Sequence, residues 1–299
     1  MSNLAAPLGP EHDSAPGATS PRGSFIICST QRSGSGLLCR GLTSTRAVGA
    51  VTEYFNPTNR EALTARWRCA PGLDAYVAAL LAQRGAQDGI FATKLHWDQL
   101  QHLRSEALGL EPGEPEFEIS ARFLSKLFPD PIYVHVLRRD VNRQAISFWK
   151  ALRTGAWSQP NAEAPEAREE APYSFEGIDR CRRLIENAEV HWDRFFRFNG
   201  IEPLEVVYED LEAAYELTIR SLLEQLVGGQ ARDVEISAPQ SAKMRSDRSE
   251  VMLERFARDR QVRGLENPLA PDVRLEDLDA APVQGATTGD KHTVSRAAV

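Results

Sequence analysis

The sequence predicts an α/β fold with a mainly parallel central sheet flanked by helices. Short β-branched and apolar runs at residues 25–28, 90–94, 132–137 and 204–208 have the length and composition of buried strands. Helical stretches separate these runs, and strands that alternate with helices form parallel sheets. With 299 residues, of which 42% are hydrophobic, the chain is long enough to bury a substantial core in one large domain.

Two amphipathic helices support this fold class. Apolar side chains between Val141 and Leu152 recur at helical spacing, and Asp140 is placed to cap the first turn. A second helix is predicted at residues 180–198, where large apolar side chains lie along one side. The stretch between them, residues 153–172, is rich in Pro, Ala and Glu, and we interpret it either as a lid or as a solvated insertion.

The two ends of the chain differ in composition from its middle. Residues 1–23 and residues 268–299 contain few large apolar side chains, so we expect a disordered leader and a disordered tail around a domain at residues 24–267. We find no apolar run long enough to cross a bilayer and no N-terminal export signal. A cytoplasmic protein without a membrane span is therefore expected.

Charge and cysteine usage disfavour two further classes of protein. A formal net charge of -7 argues against nucleic acid as the main partner, because phosphate neutralisation needs a basic surface. The four cysteines form no CxxC pair and no His/Cys cluster with zinc spacing, so neither a metal site nor a disulfide framework is predicted. Any anion-binding site must be local.

Residues 30–36 (TQRSGSG), which we call the glycine turn, follow the first predicted strand and precede a predicted helix. Such a turn directs free backbone N–H groups and the positive end of a helix at one point, which favours a bound phosphate. The Lys-Ser/Thr pair of a Walker A motif is missing, and Arg32 stands inside the turn instead. Taken alone, the turn is also consistent with a solvated Ser/Gly loop.

Two arginines follow the third predicted strand. Arg138 and Arg139 stand at its carboxyl end, the edge at which open α/β sheets bind ligands. On the helix that follows, Arg143, Ser147 and Lys150 fall opposite the apolar stripe. We expect a second phosphate to meet Arg139 and Ser147, and we interpret Arg143 and Lys150 as an ordinary solvated helix face.

Three segments stand in the order and at the spacing of a known family: CSTQRSGSGLLCRGL, VTEYFNP and VLRRDVNRQAISFWKA. Together they resemble the P-loop-like sulfotransferases, and most closely the bacterial trehalose sulfotransferase family. The resemblance implies that fold, 3′-phosphoadenosine 5′-phosphosulfate (PAPS) as donor, and no metal. It also implies that the 5′-phosphosulfate is bound by Arg32, Ser33, Gly34, Ser35 and Gly36.

The resemblance further assigns the donor's 3′-phosphate to Arg139 and Ser147. Two departures from the family pattern lie in the glycine turn. Gln31 stands where members usually carry Pro, and Gly36 stands where they usually carry Thr. A hydroxyl contact to the 5′-phosphate is therefore expected to be missing, which predicts weaker or altered donor binding.

A base must accept the proton of the attacking hydroxyl. Glu53 is the first candidate, because the resemblance assigns the base to the acid of the EYF motif. Tyr54 and Phe55 are expected to desolvate its carboxylate and raise its pKa. His96 is the alternative, as base or as a residue that positions the acceptor, since distant sulfotransferases place a catalytic His after a strand similar to the one that contains Lys94.

The expected function is transfer of a sulfuryl group from PAPS to a hydroxyl of a carbohydrate or related polar acceptor, such as a sugar or glycolipid. Arg32 and Lys94 are expected to neutralise charge on the leaving phosphate. Members of the family can dimerise, so the resemblance also allows a homodimer. Two alternatives stay open: a small-molecule kinase whose Glu209 and Asp210 bind Mg²⁺, and a non-catalytic nucleotide-binding relative.

Overall fold

A computed structural model of the chain describes residues 8–14, 21–85, 89–109, 117–157, 171–228, 234–238 and 247–265. Within these ranges the strands are β1 Gly23–Ser29, β2 Ile90–His96, β3 Pro131–Leu137 and β4 Leu204–Val207. The α-helices are α1 Ser35–Thr45, α2 Pro57–Trp67, α3 Leu73–Arg84, α4 Trp97–Leu108, α5 Phe117–Leu127, α6 Val141–Thr154, α7 Phe175–Phe198, α8 Tyr208–Ala213, α9 Tyr215–Val227 and α10 Asp247–Val262. Pro10–His12 forms a single 3-10 turn.

The four strands form one parallel sheet in the order β2-β1-β3-β4. The predicted α/β class with a parallel central sheet is therefore confirmed. Several element ends differ from the prediction. β1 and β2 extend beyond the predicted residues 25–28 and 90–94, and β3 starts one residue earlier than predicted. Tyr208 begins α8 and does not end β4. α7 begins at Phe175, five residues before the predicted start, because Ser174 caps it. The Ser174 hydroxyl accepts from the Gly177 N–H.

The topology makes β1 the switch point of the sheet. From β1 the sheet continues to β2 on one side and to β3 on the other, so the chain reverses direction across the sheet at this strand. Open parallel sheets bind ligands at such a switch point, outside the carboxyl ends of the strands. The glycine turn leaves β1 there, and Arg138 follows β3 at the same edge.

The side chains of β1 alternate between the two faces of the sheet. Phe25 and Ile27 are buried with side chains of α1 and α9, whereas Ile26 and Cys28 are buried with side chains of α2 to α5 and of α7. A third apolar cluster lies between α6, α7 and α10. Among the described helices, none combines the length and the apolar character that crossing a bilayer requires.

Residues 8–14 belong to the stretch predicted as a leader and contact the end of α3. The Arg84 side chain is fully buried, and its guanidinium donates to the carbonyls of Leu8 at 3.0 Å and Gly9 at 3.2 Å. Asp13 pairs with the same guanidinium at 3.0 Å. The domain limits of 24–267 stay a prediction, because the tail, residues 158–170 and the rest of the leader lie largely outside the described residues.

Deletion of residues 1–14 tests whether this contact belongs to the folded domain. The deletion removes a carboxylate and two carbonyls from a buried guanidinium, so we expect the free energy of unfolding to fall by about 3–5 kcal/mol. Urea denaturation followed by circular dichroism measures this change. Deletion of residues 268–299, the predicted tail, is the control and is expected to leave the unfolding free energy unchanged. If both truncated chains are equally stable, residues 8–14 are not part of the folded domain.

Candidate active site

The glycine turn has a backbone that only certain residues can adopt. Arg32 and Gly34 have φ values of 62° and 92°, both in the left-handed region. A Cβ on Gly34 would lie 2.2 Å from the Tyr208 ring, so α8 packs too closely for any side chain at this position. Gly34 is therefore required both for its conformation and for the close approach of α8.

The turn presents hydrogen-bond donors that have no protein acceptor. Ser33 is fully buried, and its Oγ atom has no partner among the described residues. Within the same residues, the N–H groups of Gly34, Ser35 and Gly36 at the start of α1 make no hydrogen bond. Buried donors of this kind need an acceptor, and an anionic phosphate or phosphosulfate group fits the turn.

Arg32 connects the turn to α6. Its Nε atom donates to the Ser147 hydroxyl at 3.0 Å, and its Nη1 atom donates to the carbonyl of Trp157. Arg138 donates to the Arg32 carbonyl at 3.0 Å and lies over the Tyr208 ring, 4.6 Å from its centroid. Burial lowers the pKa of Arg32, and repulsion from neighbouring arginines lowers it further. The local field therefore favours a bound anion.

Arg139 and Ser147, predicted to bind one phosphate together, have different partners. Arg139 forms a bidentate ion pair with Asp210 at 2.9 and 2.5 Å, and its side chain is 59% exposed. The Glu209 carboxylate accepts from the N–H groups of Arg139 and Asp140 at 3.1 and 3.3 Å. Among the described side chains no contact joins Arg139 to Ser147, and their shared role stays a prediction.

The same contacts bear on the kinase alternative. Glu209 accepts from the backbone N–H groups just before α6 and Asp210 pairs with Arg139, so both carboxylates are already engaged within the protein. In the described part of the chain, no three or more His, Cys, Asp and Glu side chains are grouped so as to hold a metal ion. No contact of these two residues favours a kinase.

Glu53 lies in a polar cluster with side chains from β2 and α4. Lys94 Nζ lies 2.6 Å and His96 Nε2 lies 3.5 Å from Glu53 Oε1, and Gln99 Nε2 donates to Glu53 Oε2 at 2.9 Å. Lys94 and His96 are two residues apart on a strand and so lie on one face. The Lys94 N–H also donates to the carbonyl of Thr52 at 2.9 Å, which fixes Glu53 against the edge of the sheet.

The orientation of His96 is set by the end of β1. His96 Nδ1 lies 2.9 Å from the carbonyl oxygen of Ser29, and because a carbonyl can only accept, Nδ1 carries the proton. The Ser29 carbonyl also accepts from Trp192 Nε1 at 3.2 Å. The other ring nitrogen, Nε2, is thereby directed at Glu53.

The predicted direction of the Glu53 pKa is wrong. Burial raises the pKa of this carboxyl, but the Lys94 ammonium and the His96 imidazole outweigh burial and hold the pKa well below its ordinary value. Tyr54 and Phe55 are buried in the core, and the Tyr54 hydroxyl donates to the carbonyl of Ala50. Glu53 is therefore a carboxylate at neutral pH.

A second polar network lies beneath the turn, and the sequence did not reveal it. Gln144 Nε2 donates to Thr30 Oγ1 at 2.9 Å and to the carbonyl of Gln31 at 2.8 Å. Thr30 Oγ1 donates to Glu189 at 2.8 Å, and His135 Nε2 lies 2.9 Å from the same carboxylate. The one signal in the sequence was Gln144, a polar residue next to the apolar stripe of α6. Its side chain is buried in the structure.

The interpretation of Arg143 and Lys150 as a solvated face is also wrong. Side chains of α10 contact both residues. Arg143 pairs with Glu250, and Arg143 Nη2 lies 3.0 Å from Glu250 Oε2. Lys150 Nζ donates to Ser249 Oγ at 2.9 Å. Burial lowers the pKa of Lys150. These two cations attach α10 to α6 next to Ser147.

A parallel sheet with a glycine-rich turn at its switch point, beside a carboxylate and an imidazole, is the arrangement of the P-loop-like α/β class of proteins. The sequence profile of the Stf0 sulphotransferase family matches residues 24–259. This match covers most of the chain, and the protein belongs to the Stf0 sulphotransferase family.

Two relatives are similar over most of their length. The chain is 27% identical over 257 residues to the trehalose 2-sulfotransferase of Mycobacterium tuberculosis strain Erdman. This alignment covers 78% of the chain and 93% of the relative. It is 26% identical over 265 residues to the trehalose 2-sulfotransferase of Mycolicibacterium smegmatis, covering 81% of this chain and 97% of the relative. The predicted family is therefore confirmed.

The low pKa of Glu53 predicts how stability depends on pH. The folded state holds Glu53 ionised below its ordinary pKa of 4.5, so this stabilisation is present above about pH 4.5 and is lost as pH falls through the folded-state pKa. We expect Glu53→Gln to lower the unfolding free energy by about 2 kcal/mol at pH 7, and this difference to shrink towards pH 3.

Thermal and urea unfolding of both proteins between pH 3 and pH 7 measure that difference. Glu61→Gln, which removes an exposed carboxylate from α2, is the matched control and is expected to show no pH-dependent difference from the original chain. A Glu53→Gln difference that is the same at every pH would contradict the ionised cluster.

Proposed function

We propose that the protein transfers a sulfuryl group from PAPS to a hydroxyl of a carbohydrate. One observation carries the proposal: the polar cluster of Glu53, Lys94 and His96 lies next to the glycine turn. His96, beside Glu53, bonds to the carbonyl of Ser29, and the glycine turn begins at the next residue. In this proposal the base and the donor's phosphosulfate are therefore held next to each other, as group transfer from a nucleotide requires.

The donor is held at two places in this proposal. The glycine turn, with the unpartnered Ser33 hydroxyl and the N–H groups at the start of α1, binds the 5′-phosphosulfate. Ser147, next to Arg32, and Arg139 bind the 3′-phosphate, which requires Arg139 to exchange Asp210 for the ligand. When bound, PAPS supplies a sulfuryl group attached to a phosphate leaving group.

Glu53 accepts the acceptor's proton in this proposal, and His96 is the alternative base. The acceptor oxygen forms a bond to sulfur, the bond from sulfur to the phosphate oxygen breaks, and the proton moves to the carboxylate. Lys94 stands 2.6 Å from Glu53 and neutralises the leaving phosphate together with Arg32. Movement of Lys94 towards that phosphate raises the proton affinity of Glu53 when a base is needed.

The relatives guide the choice of acceptor. Both are named for transfer to position 2 of trehalose, so trehalose is the first acceptor to test and other sugars and glycolipids follow. A cytoplasmic location, expected from the sequence, and a homodimer, which the family resemblance allows, remain proposals.

The direct test is a radiolabelled-PAPS assay against trehalose, other sugars, glycolipids and polar secondary metabolites. We expect labelled product from at least one carbohydrate, and Glu53→Gln to reduce kcat by about 10²- to 10⁴-fold, the usual contribution of a general base. Glu61→Gln is the matched control. Full turnover in Glu53→Gln, with turnover lost in His96→Ala, would move the role of base to His96.

Transfer to no acceptor in the panel, with PAPS binding retained, would instead favour a non-catalytic relative. The same binding measurement with and without Mg²⁺ separates a sulfotransferase from a kinase, since a kinase needs the cation to bind its nucleotide productively.

The pH dependence of kcat/KM separates the two candidate bases. Because the pKa of Glu53 lies well below its ordinary value, a Glu53 base stays ionised and gives no acidic limb between about pH 5.5 and pH 7.5. Lys94→Met removes the ammonium and thereby raises the Glu53 pKa. We expect the acidic limb of the kcat/KM profile to move to higher pH in this variant. A limb between about pH 6 and pH 7 in the original chain, where imidazoles titrate, would contradict Glu53 as the base.

A further inference from the structure

Arg40 lies on α1, one helical turn after Gly36, and both residues are half-exposed while most of their neighbours on the helix are buried. Residues four apart on a helix are neighbours, and long helical side chains lean towards the N-terminus. Accordingly, Arg40 Nη1 lies 3.6 Å from the position that a Cβ on Gly36 would occupy. The guanidinium therefore extends back towards the glycine turn.

The Arg40 side chain has no partner of its own. Among the residues that the structure describes, no hydrogen bond or ion pair engages it, and its Nε atom is buried without an acceptor. Leaving a buried polar donor unpaired destabilises a protein. An acceptor supplied by a ligand removes that penalty.

Arg40 also adds to the positive charge at the turn. Burial lowers the pKa of Arg32 most, and repulsion from Arg138 and then from Arg40 lowers it further, which places Arg40 within electrostatic reach of the turn. The fully buried Ser33 hydroxyl, also without a described partner, lies in the same turn. Cations and unpaired donors at one place stabilise an anion between them.

We propose that Arg40 binds the 5′-phosphosulfate of the donor and replaces the contact that a side-chain hydroxyl at position 36 would make. This inference rests on the proposed function. With no side chain at Gly36, the space between Arg40 and the turn stays open. A guanidinium brings a full positive charge and can donate two parallel N–H bonds to one phosphate, whereas a hydroxyl donates a single O–H bond.

Isothermal titration calorimetry with adenosine 3′,5′-bisphosphate, the product that retains both phosphates, tests the assignment. We expect Arg40→Ala to weaken binding about 10- to 100-fold, as for other hydrogen bonds to charged groups. Arg22→Ala is the matched control: it removes the same charge from an exposed residue at the opposite edge of the sheet, and binding is expected to stay within about twofold.

The compensation between the two positions is tested by a double-mutant cycle. Gly36→Ser supplies a hydroxyl at the start of α1, so Arg40→Ala is expected to cost less in the Gly36→Ser background than in the original chain. Gly36→Ala adds the methyl group without the hydroxyl and is expected to show no such rescue. Strictly additive effects would overturn the idea that Arg40 substitutes for a side chain at position 36.

The choice of phosphate is tested with two further probes. Arg40→Ala is expected to weaken binding of adenosine 5′-monophosphate and to leave binding of adenosine 3′-monophosphate unchanged; a loss confined to the 3′ compound overturns the assignment. If Arg40→Ala fails to fold by circular dichroism, Arg40→Met keeps the length of the side chain without its charge and replaces it in every measurement.

The failure of this inference differs from the failure of the proposed function. If the original chain binds neither adenosine 3′,5′-bisphosphate nor PAPS, both the sulfotransferase proposal and the role of Arg40 are overturned. Binding by the original chain that is unchanged within twofold in Arg40→Ala overturns the role of Arg40 alone and leaves the sulfotransferase proposal standing.

Discussion

The carbonyl oxygen of Ser29 is the point on which the geometry of the candidate site depends. It ends the central strand, and it accepts hydrogen bonds from His96 on β2 and from Trp192 on α7. All three residues are buried, so water does not compete for these bonds. Because the glycine turn starts at the next residue, one buried acceptor fixes the backbone of that turn relative to the cluster of Glu53, Lys94 and His96.

The distribution of acidic partners around the site explains how a chain of net charge -7 presents a positive turn. Glu53 neutralises Lys94, Asp210 neutralises Arg139, and Glu209 accepts from the backbone N–H groups just before α6. Each of these three carboxylates is thus engaged by a group that lies outside the glycine turn. Arg40 and the buried donors of the turn have no such partner among the described residues, and the positive potential is therefore local.

Sequence patterns predicted the fold because they report burial. The β-branched runs became the four strands, and the predicted turn between β1 and α1 is present, with Arg32 and Gly34 at positive φ. The pairing of side chains from distant segments escaped prediction. Nothing local indicates that Asp210 would meet Arg139. The sign of the Glu53 pKa shift depends on Lys94, which lies on β2, far from Glu53 in the sequence. Burial alone gave the wrong sign, because opposing charges at short range outweigh desolvation.

Lys94 gives the proposed reaction a coupling between donor binding and base strength. The carboxylate of Glu53 is a weak proton acceptor while the ammonium stands 2.6 Å away. A phosphosulfate that attracts Lys94 raises the proton affinity of Glu53, and by thermodynamic reciprocity a proton on Glu53 releases Lys94 to the anion. The carboxylate is then strongest as a base when the leaving phosphate is in place, and the free protein keeps it ionised. In this arrangement a low pKa in the free protein and general-base catalysis in the complex are compatible.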